Sequence, residues 1–192
     1  MNTTAFNKLD TKKVVYNAEI HGKFSETSYP LPEKLQLRVG AQVMFIKNDS
    51  NPEKRYYNGK IGKIISINNT DLVVKCKDEE ITVTTETWEN TSYTLNAETK
   101  EIESKVAGTY TQIPLKLAWA ITIHKSQGMS IDNLVCNVDN IFAPSQFYVA
   151  ISRAVNPKNL KVDFNKGDLT QYLRRVVHVD ERVVEYYKRL IV

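Results

Sequence analysis

The sequence predicts an α/β fold in which a partial parallel-sheet lobe carries an inserted small β-barrel. From Gln42 onward, short runs rich in β-branched residues alternate with turn dipeptides over about 70 residues, which is typical of a small barrel. After Pro114, apolar strand candidates surround a short amphipathic segment, which is typical of parallel strands joined by a helix. Together, the two patterns predict a barrel inserted into an α/β domain.

The composition is that of a folded domain. Of the 192 residues, 42% are apolar and 25% are charged, close to the proportions of globular proteins. There are 26 basic and 22 acidic residues, so nucleic acid is permitted as a partner but not required. Cys76 and Cys136 form no C-x-x-C pair, so we expect no metal site and no disulfide framework, and a reducing, cytoplasmic location. No signal peptide and no apolar run long enough to cross a bilayer is visible, so we expect no membrane partner.

In the all-β segment, residues 42–47 and 71–77 are strand candidates. Asn58-Gly59 suits a two-residue hairpin turn, in which both positions need positive φ. Around this dipeptide the sequence KRYYNGKIGK mixes cations, which follow phosphates, with aromatic rings, which stack bases. The candidate nucleic-acid contacts here are Lys54, Arg55, Tyr57 and Lys60. The alternative is an ordinary polar hairpin with a half-buried tyrosine.

In the α/β segment, residues 116–123 read as a buried strand, and residues 133–138 and 159–164 as two more. Between the last two, Pro144 is a good first-turn residue for a helix. An apolar stripe at helical spacing continues this helix: Phe147, Ala150, Ile151 and Ala154. Residues 169–192 read as an amphipathic, highly charged helical tail.

The stretch TIHKSQG, residues 122–128, contains residue types that contact phosphate: Thr122, His124, Lys125, Ser126, Gln127 and Gly128. If Thr122 caps a helical turn, Lys125 lies at the end where the helix dipole is already positive. A bound anion removes that conflict, and phosphate is the usual ligand. The alternative is a solvated loop after a core strand.

The stretch QFYVAISRA, residues 146–154, ends its predicted helix with Arg153. A cation at a helix C-terminus is common and needs no ligand. The functional alternative is an arginine that stabilises charge on a γ-phosphate during phosphoryl transfer.

Taken together, the two stretches resemble the last two motifs of superfamily 1 DNA helicases, and most of all those of the RecD-like and PIF-type branch, which moves 5′ to 3′ on DNA. LRVGAQVMFIKND and YYNGKIGKI resemble the entry to the Src-homology-3-like barrel that this branch inserts in its second RecA-like lobe. IPLKLAWAITIHKSQG resembles the return from it. The four motifs occur in the family's order and span residues 7–164.

The resemblance implies roles for most of the matched residues, but it assigns none to Gln146 and Tyr148. Arg153 is expected to be the catalytic arginine finger, and Gln127 and Gly128 to lie near the nucleotide. Four residues are expected to face the phosphates of single-stranded DNA: Thr122, His124, Lys125 and Ser126. The implied domains are an incomplete second lobe at 1–37 and 113–166, a barrel at 38–112 and a helical tail at 167–192.

The sequence departs from the family pattern in one respect. It contains no G-x-x-x-x-G-K-[ST] run, whose amides cradle phosphates and whose hydroxyl holds Mg²⁺. We therefore expect the C-terminal portion of a helicase. ATP and Mg²⁺ serve the full-length enzyme, whereas this chain alone binds neither and is inactive without an N-terminal lobe. An incomplete sheet leaves a strand edge unpaired, so we also expect self-association.

Two alternatives remain open from the sequence. The chain could be a stand-alone nucleic-acid-binding module that keeps a helicase scaffold without catalysis. It could also derive from a relaxase-linked or UvrD-type helicase of different polarity. The motif HKSQG disfavours the UvrD type.

Overall fold

The computed structural model describes residues 1–68, 71–95, 100–143, 145–177 and 179–190. The chain divides by its contacts into two compact units, Met1–Ala120 and Ile121–Val192. The first is mostly β-sheet, and the second combines strands with helices, so the fold is mixed α/β. These units do not coincide with the ranges predicted for the lobe, the barrel and the tail, which remain a prediction about domain organisation.

Within its described residues, the first unit begins with a short helix, α1 (Asn2–Asn7), and continues with ten strands. They are β1 (Lys13–Asn17), β2 (Glu19–Gly22), β3 (Lys34–Arg38), β4 (Gln42–Phe45), β5 (Ile61–Ile67), β6 (Leu72–Cys76), β7 (Glu79–Val83), β8 (Glu86–Leu95), β9 (Ile102–Gln112) and β10 (Leu115–Leu117).

These strands form three antiparallel sheets. The largest has five strands in the order β10-β4-β5-β6-β7, a second has the order β2-β9-β8, and β1 pairs with β3. In the part of the chain that the structure describes, β7 and β10 are the edges of the five-stranded sheet and no pairing joins them. The sheets are therefore open, and the strand pairing does not show the predicted barrel.

The core of the first unit follows from the alternation of side chains along each strand. In β6, Leu72, Val74 and Cys76 point inward while the residues between them are more exposed, as the two-residue period of a strand requires. Ile64 from the neighbouring strand β5 and Phe45 from β4 belong to the same core and are fully buried. Cys76 is a free thiol, and its burial raises its pKa.

A buried carboxylate holds the long connection between β4 and β5. Glu86 is only 4% exposed and accepts hydrogen bonds from the Ser50 hydroxyl at 2.7 Å and the Tyr56 hydroxyl at 3.1 Å. The Lys47 ammonium lies 3.2 Å from its other oxygen. The Tyr56 ring stacks on Phe45, with 4.1 Å between centroids. The connection is therefore fixed to the core at both its charged and its aromatic groups.

A second buried carboxylate orders the middle of this connection. Asp49 is 2% exposed and accepts from the Asn51 amide at 3.0 Å and from the Arg55 amide at 3.1 Å. It also accepts from the Arg55 guanidinium at 3.0 Å. An aspartate that binds nearby backbone amides in this way sets a turn.

The prediction of a two-residue hairpin turn at Asn58-Gly59 is wrong. Only Gly59 has positive φ, at 100°, and the turn is closed by a 3.0 Å hydrogen bond from the Lys60 amide to the Tyr57 carbonyl. The Asn58 amide donates instead to the Asn48 side chain at 2.8 Å. Residues 46–60 separate the paired strands β4 and β5, so this turn belongs to a longer loop.

The second unit contains two strands and three helices within its described residues: β11 (Leu134–Asn137), α2 (Gln146–Ile151), β12 (Leu160–Asp163), α3 (Leu169–Val176) and α4 (Glu181–Leu190). The two strands pair in parallel, as the sequence predicted. Their core is small and consists of Cys136, Val138 and Ala150, with Phe147 and Leu160 packed against it.

The predicted buried strand at 116–123 is wrong beyond Leu117. Strand β10 ends there, and it pairs antiparallel with β4 in the first unit rather than with β11 or β12. The Ala118 amide still donates to the Gln42 carbonyl of β4 at 2.9 Å, but the backbone of Ala120 binds a side chain instead of a strand. The Asn2 side chain exchanges two 2.8 Å hydrogen bonds with the amide and carbonyl of Ala120. Apolar content alone could not reveal this capping.

The helical predictions are partly confirmed. Helix α2 covers Phe147, Ala150 and Ile151 of the predicted stripe but ends at Ile151, whereas Ala154 forms a bridge with Ile131. Pro144 lies outside the described residues. The tail is two helices, not one, and α4 has no buried residue.

The described residues contain neither a membrane-spanning helix nor a metal-binding cluster. None of their helices is long and apolar enough to span a bilayer. Their His, Cys, Asp and Glu side chains form no group of three or more that could hold a metal ion.

The buried carboxylates predict an acid-sensitive first unit. Burial raises the pKa of Glu86, but hydrogen bonds from Ser50 and Lys47 outweigh it and leave that pKa below its usual value; Arg55 and backbone amides do the same for Asp49. Because the folded pKa values are lowered, the stabilisation is present above the unfolded values of about 4 and is lost as pH falls through the folded values. Thermal denaturation of the unaltered chain between about pH 3 and pH 7 should show this loss.

The variant Glu86→Gln tests the assignment. It should lower the free energy of unfolding at neutral pH by about 1–3 kcal/mol and flatten the acid limb. Glu89→Gln, at an exposed position on the same strand, should change neither. An unchanged acid limb in Glu86→Gln would remove Glu86 as its source.

Candidate nucleotide and nucleic-acid interface

Residues 122–128 form a tight turn at the start of the second unit. Its centre is a single 3-10 turn, His124–Ser126. The Thr122 hydroxyl accepts only a long hydrogen bond, 3.4 Å, from the Lys125 amide. Three residues sum very few peptide dipoles, so the helix-dipole argument for an anion does not hold here. Any affinity for phosphate therefore comes from the side chains themselves.

The turn exposes most of its predicted site residues and buries one. Five are exposed: Thr122, His124, Lys125, Gln127 and Gly128. Ser126 is 4% exposed, and its hydroxyl donates to the Ile123 carbonyl at 2.7 Å. Gly128 has φ of 78°, and a Cβ added to it would meet nothing within 4 Å. Backbone conformation, rather than space, therefore calls for glycine at this position.

Arg153 lies just after α2, and its guanidinium is folded back on the second unit. It donates to the Val149 carbonyl at 3.0 Å, to the Ser152 hydroxyl at 3.0 Å and to the Met129 carbonyl at 3.5 Å. All three acceptors are neutral. These bonds therefore hold the side chain without a carboxylate partner, and one of them reaches Met129, the residue next to Gly128.

Backbone pairing fixes the same neighbourhood. The Ile131 amide donates to the Arg153 carbonyl at 2.8 Å, and the Val155 amide donates to the Ile131 carbonyl at 3.1 Å. Ile131 and Ala154 form a parallel bridge. The structure therefore brings together the segment that follows TIHKSQG and the end of the QFYVAISRA helix, although about twenty residues separate them in sequence.

Sequence reasoning missed Phe142, which lies in the connection before α2. Its side chain is 79% exposed, and its ring stacks against His124 with centroids 6.1 Å apart and planes at 30°. Gln146, which the motif resemblance left without a role, is buried and accepts from the Phe142 amide at 2.9 Å. The only signal in the sequence is that Phe142 lies outside the apolar stripe of the helix.

In the first unit, two of the four predicted contacts are already paired. Arg55 lies 3.0 Å from Asp49, and Lys60 lies 2.7 Å from Glu79; hydrogen bonding to Lys60 holds the pKa of Glu79 below its usual value. Lys54 is exposed, and its ammonium donates to the Asp49 carbonyl at 3.0 Å.

Tyr57 is the most open of this group. Its side chain is 62% exposed, while its neighbour Tyr56 is buried against Phe45. Two adjacent tyrosines thus have different surroundings, and only Tyr57 presents a free ring. The ligand contacts expected of these residues, and of those in the second unit, stay predictions.

Comparison with known proteins identifies the chain's relatives. The model of the Herpes_Helicase family, described as "Helicase", matches residues 33–185. The ATP-dependent DNA helicase Pif1 of Campylobacter jejuni is 34% identical over 98% of this chain and 45% of the relative. The unliganded structure of Pif1 from Bacteroides sp superposes with a TM-score of 0.81 at 34% identity, over 97% of this chain and 41% of that one.

A second Bacteroides structure is the Pif1 helicase in complex with ADP-AlF3 and single-stranded DNA. It superposes with a TM-score of 0.73 at 34% identity, over 98% of this chain and 41% of that one. The chain belongs to the helicase family. Within that family its relatives are PIF1-type DNA helicases, so the superfamily 1, PIF1-type resemblance seen in the motifs is confirmed. The chain spans less than half the length of each of these three relatives.

The buried hydroxyl of Ser126 predicts a structural effect for its removal. Ser126→Ala should lower the free energy of unfolding by about 1 kcal/mol, the typical net value of one hydrogen bond. Because the hydroxyl is already bonded to Ile123, the salt dependence of single-stranded DNA binding should not change. Ser130→Ala, at an exposed position, is the matched control. A reduced salt slope in Ser126→Ala, seen by fluorescence anisotropy, would instead mark a phosphate contact.

Proposed function

We propose that this chain is the C-terminal portion of an ATP-dependent 5′–3′ DNA helicase. In this proposal it supplies an arginine finger and single-stranded DNA contacts to an ATPase site that an N-terminal RecA-like lobe completes. The observation that carries the proposal is the joining of the two motifs in the second unit, through the Ile131–Ala154 bridge and the bond from Arg153 to Met129.

The nucleotide side of the proposal rests on Arg153, Gln127 and Gly128. A γ-phosphate oxygen carries negative charge, so it attracts the guanidinium more strongly than a neutral carbonyl or hydroxyl oxygen does. It can therefore displace the carbonyls and the hydroxyl that now hold the Arg153 guanidinium. Gln127 and Gly128 directly precede Met129, which Arg153 contacts, and both are exposed. A Cβ added at Gly128 would meet nothing within 4 Å, which leaves room for a ligand.

The fit to ATP and Mg²⁺ is partial. Arg153 suits the γ-phosphate, but no group of three or more carboxylates, histidines or cysteines occurs among the described residues, and the sequence has no phosphate loop. In our proposal, the groups that hold the metal and the other phosphates belong to the N-terminal lobe. This chain contributes charge stabilisation in the transition state.

The DNA side rests on exposed groups of both units. Thr122, His124 and Lys125 are exposed on one turn, and a related Pif1 structure at 34% identity is a complex with single-stranded DNA. In the first unit, Tyr57 and Lys54 are exposed, whereas Arg55 and Lys60 would have to share their charge with Asp49 and Glu79. The likeness to Pif1 structures supports treating the open five-stranded sheet as the counterpart of the inserted Src-homology-3-like barrel.

The same likeness supports a lobe made of residues 1–37 and 113–166, and self-association follows from its incomplete sheet. Among the described strands, β11 and β12 pair only with each other. Each therefore has an unpaired edge, and such edges invite association.

The catalytic part of the proposal predicts a strict dependence on Arg153. The chain alone should show no ATP turnover above a buffer blank. Grafted in place of the matched segment of the Campylobacter jejuni relative, it should restore DNA-stimulated ATP hydrolysis. In that chimera, Arg153→Ala should lower kcat by at least roughly 10³-fold, the lower range for an arginine finger.

The control for this experiment is Arg174→Ala, at an exposed arginine of the same unit, which should leave kcat unchanged. Equal turnover by the chimera and its Arg153→Ala variant would refute the arginine finger. The chimera should unwind duplexes with a 5′ tail, and unwinding of 3′-tailed duplexes alone would refute the direction. DNA binding without hydrolysis by the chimera favours a stand-alone binding module.

The DNA part of the proposal predicts weak, salt-dependent binding by the chain. Affinity for single-stranded DNA should fall in the non-specific range of about 10⁻⁴–10⁻⁶ M. Lys125→Ala should reduce the slope of log K against log salt by about 0.7, the value for one phosphate contact on a single strand. Arg153→Ala should leave binding unchanged, because that residue serves the nucleotide. Fluorescence anisotropy across a salt series measures both effects.

Lys158→Ala removes an exposed lysine elsewhere in the second unit and serves as the control. It should leave the slope as it is in the unaltered chain. If Arg153→Ala weakened binding as much as Lys125→Ala, the division of roles between the two motifs would be wrong.

A further inference from the structure

We propose that Phe142 and His124 form a stacking platform for one base of single-stranded nucleic acid. This inference rests on the proposed function and adds to it a residue that neither of the two motifs contains. The phosphate contacts proposed for the turn fix the strand without regard to its bases. The ring pair beside them supplies the apolar contact that a base requires.

Phe142 is exposed to an unusual degree for a phenylalanine. Its side chain is 79% exposed, although burial is the default for this residue type. Its one aromatic neighbour among the described residues is His124, at 6.1 Å between centroids and 30° between planes. At this distance and with the ring 79% exposed, most of the phenylalanine surface is open to a third ring.

The exposed ring is carried by a rigid backbone. The Ile141 amide donates to the Tyr172 hydroxyl at 2.9 Å, and the Phe142 amide donates to the Gln146 side chain at 2.9 Å. The same Gln146 oxygen accepts from the Ala143 amide at 3.4 Å. Gln146 is itself 8% exposed. Three consecutive amides are thus bound, so the loop presents Phe142 without further loss of backbone entropy.

The second anchor is equally ordered. The Tyr172 ring stacks on Phe164 with centroids 4.7 Å apart, and the Arg175 guanidinium lies 5.5 Å from its centroid. Helix α3 therefore holds the hydroxyl that fixes Ile141. The backbone on either side of Phe142 is bound to the stacked Tyr172 and the buried Gln146, so the loop conformation itself keeps the Phe142 ring exposed.

The surroundings favour a nucleic-acid base over a protein partner. His124 is followed directly by the exposed Lys125, and flat rings beside cations are the combination that binds single strands without sequence preference. An apolar protein side chain would gain nothing from the nearby cation. A nucleotide has both a flat base and a phosphate, so one ligand can contact the ring pair and Lys125 together.

The test uses the unaltered chain and two labelled oligonucleotides of equal length, oligothymidine and an abasic oligonucleotide, in fluorescence anisotropy at low salt. Phe142→Ala should weaken binding to oligothymidine at least about 5-fold, the lower limit for one stacked base. It should leave binding to the abasic strand unchanged. The salt slope should also stay the same, because no charge is removed. Phe142→Trp should retain the affinity for oligothymidine.

Tyr187→Ala is the matched control, since Tyr187 is also an exposed ring beside another aromatic side chain in the same unit. It should have no effect on either oligonucleotide. Circular dichroism of Phe142→Leu, which keeps apolar volume but not a flat face, separates a folding defect from loss of stacking; a folded Phe142→Leu should bind as weakly as Phe142→Ala.

Each contrary result has a distinct meaning. Equal weakening on oligothymidine and on the abasic strand would overturn base stacking. Unchanged binding in Phe142→Ala, with DNA binding by the unaltered chain intact, would overturn this inference alone. Loss of activity in the Campylobacter chimera would then assign Phe142 to contact with another part of the helicase. No binding by the unaltered chain at any salt concentration would overturn the proposed DNA contacts and the platform with them.

Discussion

The parallel bridge between Ile131 and Ala154 is the constraint on which the candidate site depends. It converts two stretches that are distant in sequence into one neighbourhood, because it clamps the segment after Gly128 against the end of α2. The core of the same unit is small and consists of Cys136, Val138 and Ala150 with their partly buried neighbours. With so little apolar burial, the directional backbone bonds decide the relative positions of the two motifs.

In the first unit, two carboxylates, the buried Asp49 and the exposed Glu79, decide which of the predicted cations are already paired. The sequence does not rank the four predicted nucleic-acid contacts of this unit, which are Lys54, Arg55, Tyr57 and Lys60. In the structure, Asp49 pairs with Arg55 and Glu79 pairs with Lys60. An ion pair reduces the charge that a cation can offer to a phosphate, unless the carboxylate is displaced. The same aspartate that neutralises Arg55 also shapes the loop from which the Tyr57 ring projects. Asp49 therefore both orders this loop and reduces the charge that Arg55 can offer to a ligand.

The family motifs and the presence of most strands could be predicted from the sequence. The hydrogen-bond partners and the exposure of individual side chains could not. The parallel pairing of β11 with β12 followed from apolar runs on either side of a helix. The end of β10 could not be predicted, because the backbone of Ala120 forms two hydrogen bonds with the distant Asn2 side chain instead of pairing with a strand. Likewise, the residue type of Ser126 suggested a ligand contact, but a local bond to Ile123 buries its hydroxyl. Long-range side-chain bonds of this kind leave no periodic signal.

The position of Arg153 has a consequence for how the proposed nucleotide and DNA contacts communicate. Its guanidinium reaches the Met129 carbonyl, immediately after the turn that carries Lys125 and Gly128. Under the proposed function, a γ-phosphate competes for the same guanidinium. Nucleotide binding therefore breaks the hydrogen bond between Arg153 and Met129, next to that turn. This bond has a charged donor but is long, at 3.5 Å, so we assign it the typical net value of about 1 kcal/mol, and a coupling free energy of that order changes affinity several-fold. Because linkage is reciprocal, a strand that reorders the turn alters nucleotide affinity by the same factor.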